Sequence, residues 1–175
     1  MVRTGFVAAG VAALTMAGVG AAASLAPEGL KVPQGLSIAE FRGYETWAPV
    51  AVSQVPDGLK VISANPTMMA AYRAGLPMDG KTFPDGSKVV KIEWAPAPNK
   101  TSPYAVNVPG QLMNIAFIEK DLKRFPKTHG WAYAKFDYDP ATKTLKPEGT
   151  GAECGYACHT IVAKQDYIFT AYPLR

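Results

Sequence analysis

The sequence lacks long hydrophobic runs beyond its first two dozen residues, and it lacks internal repeats and low-complexity segments. No later stretch approaches the ~20 apolar residues that a membrane-spanning helix needs, which argues against an integral membrane protein. The 18 lysines and arginines are scattered along the chain rather than clustered. The net charge of +4 therefore does not indicate a nucleic-acid partner.

The first 23 residues have the order of a secretory signal peptide. Arg3 gives a positive start, Gly5 to Gly20 is an apolar run, and three alanines close it at Ala23. We therefore predict cleavage after Ala23, a periplasmic location and a single mature domain of residues 24–175. A membrane anchor is the alternative, but the apolar run is short for a span.

Fifteen prolines and several alternating segments favour a mainly β domain over a helical bundle. We predict an antiparallel sheet of about five strands with one or two short helices. The clearest strand is Ser87 to Trp94, and Asn65-Pro66 can cap a helix over Thr67 to Gly75. The other predicted strands are Ala51 to Val55, Lys60 to Ala64, Leu112 to Ile118, Trp131 to Tyr138 and Tyr167 to Tyr172, and long loops are predicted at Ala95 to Pro109 and Asp139 to Gly151.

Cysteine and histidine are scarce, because the mature part contains only Cys154, Cys158, His129 and His159. Two nearby free thiols are unusual in an exported protein. The segment Cys154 to His159 has the order of a c-type haem motif, in which two thiols bond to the vinyl groups and the next histidine binds the iron. Three residues separate the cysteines where two are usual, and Gly155 tolerates the backbone bulge that the extra residue requires. We therefore predict one covalent haem c per chain, with His159 as the iron ligand.

Two other fates of the cysteines remain open. A disulfide across one turn is geometrically possible but uncommon. A zinc site with both histidines is also possible. Neither explains why His159 directly follows Cys158.

No residue is placed by its spacing to be a sixth iron ligand, which an electron-transfer cytochrome usually has. An iron with one open face would bind a small ligand and could react with it. The candidates are Met68, Met69, Met78, Met113 and His129, each better explained by packing or exposure.

Several segments of the chain match those of a known family in order and spacing: Tyr44 to Trp47; Phe83-Pro84-Asp85-Gly86 followed by Val89-Val90-Lys91; Glu119-Lys120-Asp121 with Lys123-Arg124-Phe125; Gly130-Trp131; Glu153 to His159; and Asp166 to Phe169. In these segments the chain resembles the cytochrome P460 family and the related β-sheet cytochromes c′, over roughly Phe41 to Arg175. This resemblance implies a mainly antiparallel β fold, a homodimer and a five-coordinate haem c.

Two lysines match positions that are close to the haem or basic in that family. In cytochrome P460 a lysine is also bonded to the haem macrocycle, and the matching residue is Lys91, eight residues after Phe83. Burial against haem would favour the neutral amine that such a bond needs. A strand lysine whose head reaches solvent is the alternative. Lys60 matches a basic position, where it would orient a ligand or a propionate or lie on the surface.

Family members that oxidise hydroxylamine carry a carboxylate over the open iron face, but the matching residue here is Ala116, which cannot take a proton. Glu93 and Glu119 are near in sequence and do not stand at that position. Gas-binding relatives have apolar distal pockets, which Ala116 and Phe117 would supply here. Three functions therefore remain open: redox chemistry on hydroxylamine or nitric oxide, binding of nitric oxide or carbon monoxide without turnover, and electron transfer with a soluble partner.

Overall fold

A computed structural model gives the fold and describes Met1 and residues 29–33, 35–78, 80–148 and 153–174. Apart from Met1, the predicted signal peptide and its cleavage site lie outside the described residues. Within those ranges, no helix is both long enough and apolar enough to cross a membrane.

Six strands form one antiparallel sheet in which each strand pairs with the next along the chain. The mainly β prediction is therefore confirmed. The strands are β1 (Ala48–Val55), β2 (Gly58–Ala64), β3 (Lys88–Pro98), β4 (Asn107–Lys120), β5 (Trp131–Asp139) and β6 (Thr144–Glu148). The α-helices are α1 (Pro66–Arg73), between β2 and β3, and α2 (Glu153–His159), after β6, and the 3₁₀ helices are Ile38–Phe41, Tyr44–Thr46, Pro126–Thr128 and Thr160–Gln165.

The first face of the sheet is closed by the segment that precedes β1. Val90, Ile115, Phe117 and Phe136 are buried on this face. The ring centroid of Phe41, from the preceding segment, lies 4.3 Å from that of Phe117. Burying these large side chains removes apolar surface from water and holds the amino-terminal segment on the sheet.

The second face of the sheet is partly covered by α1 and by the carboxyl-terminal segment. Helix α1 buries Met68, Met69 and Tyr72 against this face, and Ile168 joins the same core. Asn65 caps α1 as predicted, since its side-chain oxygen accepts a hydrogen bond from the Met68 N–H at 3.0 Å. The two covers do not meet over the whole face, which leaves room for a cavity between them.

The long loop that we predicted over Ala95 to Pro109 is shorter in the structure and covers residues 99–106. Strands β3 and β4 both extend into the predicted range, with Pro96 opposite Pro109. Strand β2 pairs with β3 no further than Trp94, and β5 pairs with β4 only from Asn114. The extension is therefore a two-stranded ribbon with free edges, where a proline need not remove a ladder hydrogen bond.

Two predictions near the carboxyl terminus are also wrong. The predicted loop Asp139 to Gly151 contains β6, in which Leu145 is the buried residue. The predicted strand Tyr167 to Tyr172 has no regular secondary structure. Strand β6 has only one buried residue, so its sequence shows almost no alternation of apolar and polar residues. The residues from Tyr167 to Tyr172 pack on the second face of the sheet but do not pair with a strand.

Candidate cofactor site

A cavity of about 590 Å³ lies between the second face of the sheet and the carboxyl-terminal segment. Its size is in the usual range for a small-molecule or cofactor site. Lys60, Lys91 and Ala116 line it from the sheet, while Cys158 and His159 line it from α2. The structure therefore brings together residues that are up to about a hundred positions apart in the sequence.

Helix α2 carries the predicted haem-attachment motif. Cys154 lies in this helix, in a part whose side chains the structure does not describe. Cys158 is a free, exposed thiol that borders the cavity. Because residues four apart share one side of an α-helix, the three-residue spacing places the two cysteine positions on the same side of α2. The unusual spacing is therefore accommodated by regular helical backbone.

Gly155 does not form the backbone bulge that we predicted. It lies within α2, and its backbone is not left-handed. A Cβ atom at this position would lie 2.6 Å from both Cβ and Cγ of Tyr133. Glycine is therefore needed here because α2 approaches β5 closely, and not because the chain turns sharply.

His159 is held in the tautomer of a metal ligand. Its Nδ1 lies 2.6 Å from the carbonyl oxygen of Tyr167. A carbonyl can only accept, so Nδ1 donates and Nε2 keeps its free lone pair. Histidines that bind metals commonly donate their other N–H in this way. The imidazole packs between the rings of Tyr133 and Phe169, whose centroids lie 4.6 and 4.8 Å away.

The environment of His159 also favours the neutral imidazole. Burial lowers the pKa of His159, the hydrogen bond with Tyr167 opposes this shift, and the charge of Lys91 adds to it. The outcome is a lowered pKa. A neutral ring is the form that can bind a metal ion.

One row of residues across the sheet forms the floor of the cavity. The strand register places Ile62, Lys91, Ala116, Lys135 and Glu148 side by side on β2 to β6. All of them border the cavity. Their shared face follows from the two-residue period of a strand, which repeats in register across each antiparallel pair.

The next row on the same face contains Lys60, Glu93 and Asn114. In it, the Glu93 carboxylate contacts both lysines that the sequence singled out, Lys60 and Lys91. The Glu93 carboxylate lies 3.3 Å from Lys60 Nζ and 3.9 Å from Lys91 Nζ. It also accepts a hydrogen bond from Asn114 Nδ2 at 3.2 Å. Burial lowers the pKa of Lys91, although the charge of Glu93 opposes that shift. The lowered pKa of Lys91 raises the share of the neutral amine.

The cavity offers both charges and unpaired polar groups to an occupant. Lys60, Lys91 and Lys135 all border it, so carboxylates such as propionates would find cationic partners there. The hydroxyls of Tyr72 and Tyr133 are buried and have no hydrogen-bond partner within the described residues. Both tyrosines line the cavity, and burial raises the pKa of each. Buried polar groups are normally paired, so these hydroxyls are available to a bound group.

Taken with the apolar wall, these features fit a haem. Val89, Ile118 and Ile168 line the cavity with aliphatic side chains. His159 presents a free nitrogen, and Cys158 presents a free thiol at the same cavity. An iron ligand, an attachment group, cations for two carboxylates and an apolar wall are the elements that a covalently bound haem requires.

Phe117 does not contribute its ring to the pocket that we predicted around Ala116. Phe117 borders the cavity, but its ring packs in the first-face core against Phe41, Tyr44 and Phe136. Neighbouring residues of a strand point to opposite faces, so Ala116 and Phe117 cannot both turn their side chains to the cavity.

None of the candidate sixth ligands borders the cavity. Met68 and Met69 are buried in the core beside α1, whereas Met78 and Met113 are exposed. His129 is exposed and stacks on Tyr167, with ring centroids 5.1 Å apart.

Sequence reasoning missed several residues of the cavity, among them Tyr72, Lys135 and Glu148. The alternation of β5 puts Lys135 on one face, but only the register shows that this is the face of Lys91. Glu148 lies in a segment that we predicted to be a loop, so its place in the row could not be foreseen.

A family model described as Cytochrome P460 matches residues 41–170, which include every strand and both α-helices. A comparison with curated proteins gives no match.

Proposed function

The chain belongs to the cytochrome P460 family, and we propose that it is an exported mono-haem c-type cytochrome with an open iron face that performs redox chemistry on hydroxylamine or nitric oxide. The haem would supply an iron that binds the ligand and exchanges electrons with it. The observation that carries the proposal is His159, whose Nδ1 is engaged by the Tyr167 carbonyl while the rest of the ring borders the cavity.

Different residues of this chain would bind different parts of the haem. Cys154 and Cys158 would attach it covalently, and His159 would bind the iron from α2. Lys60 on β2 and Lys135 on β5, which border the cavity from separate strands, would meet the propionates. This assignment supports one haem c per chain.

Lys91 would act on the haem from the sheet. Its ammonium is half-buried, and its lowered pKa makes the neutral, nucleophilic form accessible. Both features support the bond to the macrocycle that the family resemblance implies. Lys91 would then add a contact from the sheet to the attachment from α2 and tune the chemistry of the haem.

The open iron face is supported by the distribution of possible ligands. No methionine, and no histidine other than His159, is among the described residues that border the cavity. Electron transfer with a six-coordinate iron is therefore the least supported of the three functions.

A second function, binding of nitric oxide or carbon monoxide without turnover, is favoured by Ala116. Its methyl group lies in the cavity floor where a carboxylate would take a proton in hydroxylamine oxidation. The remaining parts of the proposal are a periplasmic location, a homodimer, a small nitrogenous or gaseous ligand and a soluble redox partner. They rest on the signal-peptide pattern and on the family resemblance.

Haem attachment is tested first, on a denaturing gel stained for haem. We expect the wild-type chain to stain and Cys158→Ala to lose or weaken the band. Ala157→Ser, at an exposed position of the same helix, is the matched control and should stain normally. An unstained wild-type chain, expressed with the c-type haem attachment machinery, would contradict the proposal.

Optical spectra and turnover then separate the functions. A ferrous Soret band far to the red would indicate the Lys91 bond, and Lys91→Ala should return it to the position of an ordinary high-spin haem c. Steady oxidation of hydroxylamine with an electron acceptor would establish the enzyme. Ligand binding without turnover would establish the gas-binding function instead.

A further inference from the structure

Glu148 is the only carboxylate among the described residues that border the cavity. It stands at the end of the row that contains Lys91, Ala116 and Lys135. Glu93, on the same face of β3 as Lys91, is held by Lys60, Lys91 and Asn114 and does not border the cavity.

Lys135 holds the Glu148 carboxylate in place. Its Nζ lies 2.6 Å from Glu148 Oε2 and 3.1 Å from Asp137 Oδ1. Burial lowers the pKa of Lys135, but the hydrogen bonds to the two carboxylates outweigh it and raise the pKa overall. Lys135 therefore stays charged and fixes the position of the Glu148 carboxylate at the edge of the cavity floor.

The other polar groups of the cavity are poor proton acceptors. Burial raises the pKa values of Tyr72 and Tyr133, so both hydroxyls stay protonated and are poor proton acceptors. The Lys91 amine would be consumed by its bond to the haem. Ala116 has no polar group. Among the described residues that border the cavity, Glu148 is therefore the group best suited to accept a proton from a ligand.

We propose that Glu148, positioned by Lys135, accepts the proton that a weakly acidic small ligand releases when it binds in the cavity. The inference rests on the proposed haem function. In this step the bond between the ligand and its proton breaks, and the proton goes to a Glu148 carboxylate oxygen. The electron pair of that bond stays on the ligand, and the resulting anion is the form that a haem iron would bind. No electron is transferred, so no oxidant is needed.

Cyanide is the probe, because hydrogen cyanide is protonated near neutral pH and binds ferric haem as the anion. The rate of cyanide association with the ferric holoprotein is measured by stopped-flow absorbance. We expect Glu148→Gln to slow association by about a hundredfold, the lower end of what a positioned general base contributes. The low end is expected because Glu148 is half-exposed.

Asp137→Asn is the matched control. Asp137 also pairs with Lys135 and is as exposed as Glu148, but it does not border the cavity. Removing its charge should leave the cyanide rate within about twofold of wild type, since it does not meet the ligand. Equal rates in the two variants would show that only the charge around Lys135 matters, and this result would overturn the inference.

A second variant places a carboxylate elsewhere in the same row. In the Glu148→Gln background, Ala116→Glu should restore much of the lost rate, because position 116 lies between Lys91 and Lys135. A rate that stays low at unchanged haem content would contradict proton transfer in this row. A chain without haem would contradict the proposed function itself, whereas a haem-loaded chain indifferent to Glu148→Gln would overturn this inference alone.

Discussion

Among single residues, Gly155 has the least room of those in the site. A methyl group there would lie 2.6 Å from Tyr133, which is 6% exposed and cannot swing into solvent. We expect Gly155→Ala to cost about 1–3 kcal/mol, as overpacking does in well-packed interiors. It should also lower the haem content, because α2 would have to move away from β5.

Urea unfolding and the ratio of Soret to protein absorbance measure the two effects of Gly155→Ala. Ala157→Ser serves as the control, since Ala157 is exposed on the same helix. Normal stability with full haem content would show that α2 has more freedom than its contact with Tyr133 indicates.

Asp166 and Lys120 form a buried ion pair next to the segment that holds His159. Their charged atoms are 2.5 Å apart, both side chains are 3% exposed, and Asp166 also accepts a hydrogen bond from the Phe83 N–H. Removing one partner of a buried pair leaves a charge without compensation, which costs about 3–5 kcal/mol. We therefore expect Lys120→Met to be strongly destabilising in chemical denaturation.

Lys146→Met is the control for the buried pair, because Lys146 makes an ion pair with Asp139 at the surface. Screening by water makes such pairs weak, so the denaturation midpoint of Lys146→Met should stay close to that of the wild type. If Lys120→Met behaved in the same way, the buried pair would not be what anchors Asp166.

At the scale of elements, α1 depends on Asn65, the residue that caps its amino terminus. The Asn65 side chain accepts hydrogen bonds from the N–H groups of Met68 and Lys88, and it donates one to the Gly86 carbonyl. It therefore joins α1 to the start of β3 as well as capping the helix. We expect Asn65→Ala to cost about 2 kcal/mol, the upper end of the range for a lost cap.

Thermal unfolding of Asn65→Ala and of Thr67→Ala measures the contribution of the cap. Thr67 is exposed in the first turn of α1, so its substitution should leave stability within about 0.5 kcal/mol. Equal losses in the two variants would mean that the hydrogen bonds of the cap do not account for the effect.

The elements that could be predicted are those whose signal lies in a single segment. Strand β3 and the cap of α1 are examples, since alternation and a capping residue act between neighbours in the chain. Strand β6 and the β3–β4 ribbon were missed because pairing with another strand stabilises them, and no pattern in one segment records that pairing.

The same distinction applies to the site. The residues Lys91, Ala116 and His159 could be singled out by motif and resemblance, and the structure brings them to one cavity. The positions of Lys91 and Ala116 relative to Lys135 and Glu148 could not be foreseen, because they are fixed by the register of three successive strand pairs. If the register of any of these pairs shifted by one residue, the side chains beyond that pair would point to the other face of the sheet.

At the scale of the whole molecule, a charged contact ties the amino-terminal segment to the far end of β4. Arg124 Nη1 lies 2.6 Å from Glu40 Oε2, and Glu40 Oε1 accepts a hydrogen bond from the Ser37 N–H. Burial raises the pKa of Glu40, but the bonds to Arg124 and Ser37 outweigh it and hold the pKa below its ordinary value of 4.5.

This lowered pKa makes the stability of the fold depend on pH in a defined direction. Below pH 4.5 the unfolded chain takes up a proton at Glu40 before the folded protein does. The stabilisation is therefore complete above that pH and is lost as the pH falls through the folded-state pKa. We expect the melting temperatures of wild type and Glu40→Gln to differ at about pH 7 and to converge near pH 3.

Glu45→Gln is the control for this titration, since Glu45 is exposed in the same segment. Its melting temperature should follow that of the wild type at every pH. A difference between wild type and Glu40→Gln that stays constant with pH would exclude a contribution from Glu40 ionisation.

The order of the strands also bears on how the molecule is assembled. Each strand pairs with the one before it, and α2 comes after all six. A sheet of this kind can form one hairpin at a time, because no strand has to pair with a strand that is distant in the sequence. The cavity floor and α1 would then be in place before the cysteines arrive. We therefore expect covalent attachment to be a late event in folding, since the helix with the cysteines follows all six strands in the chain.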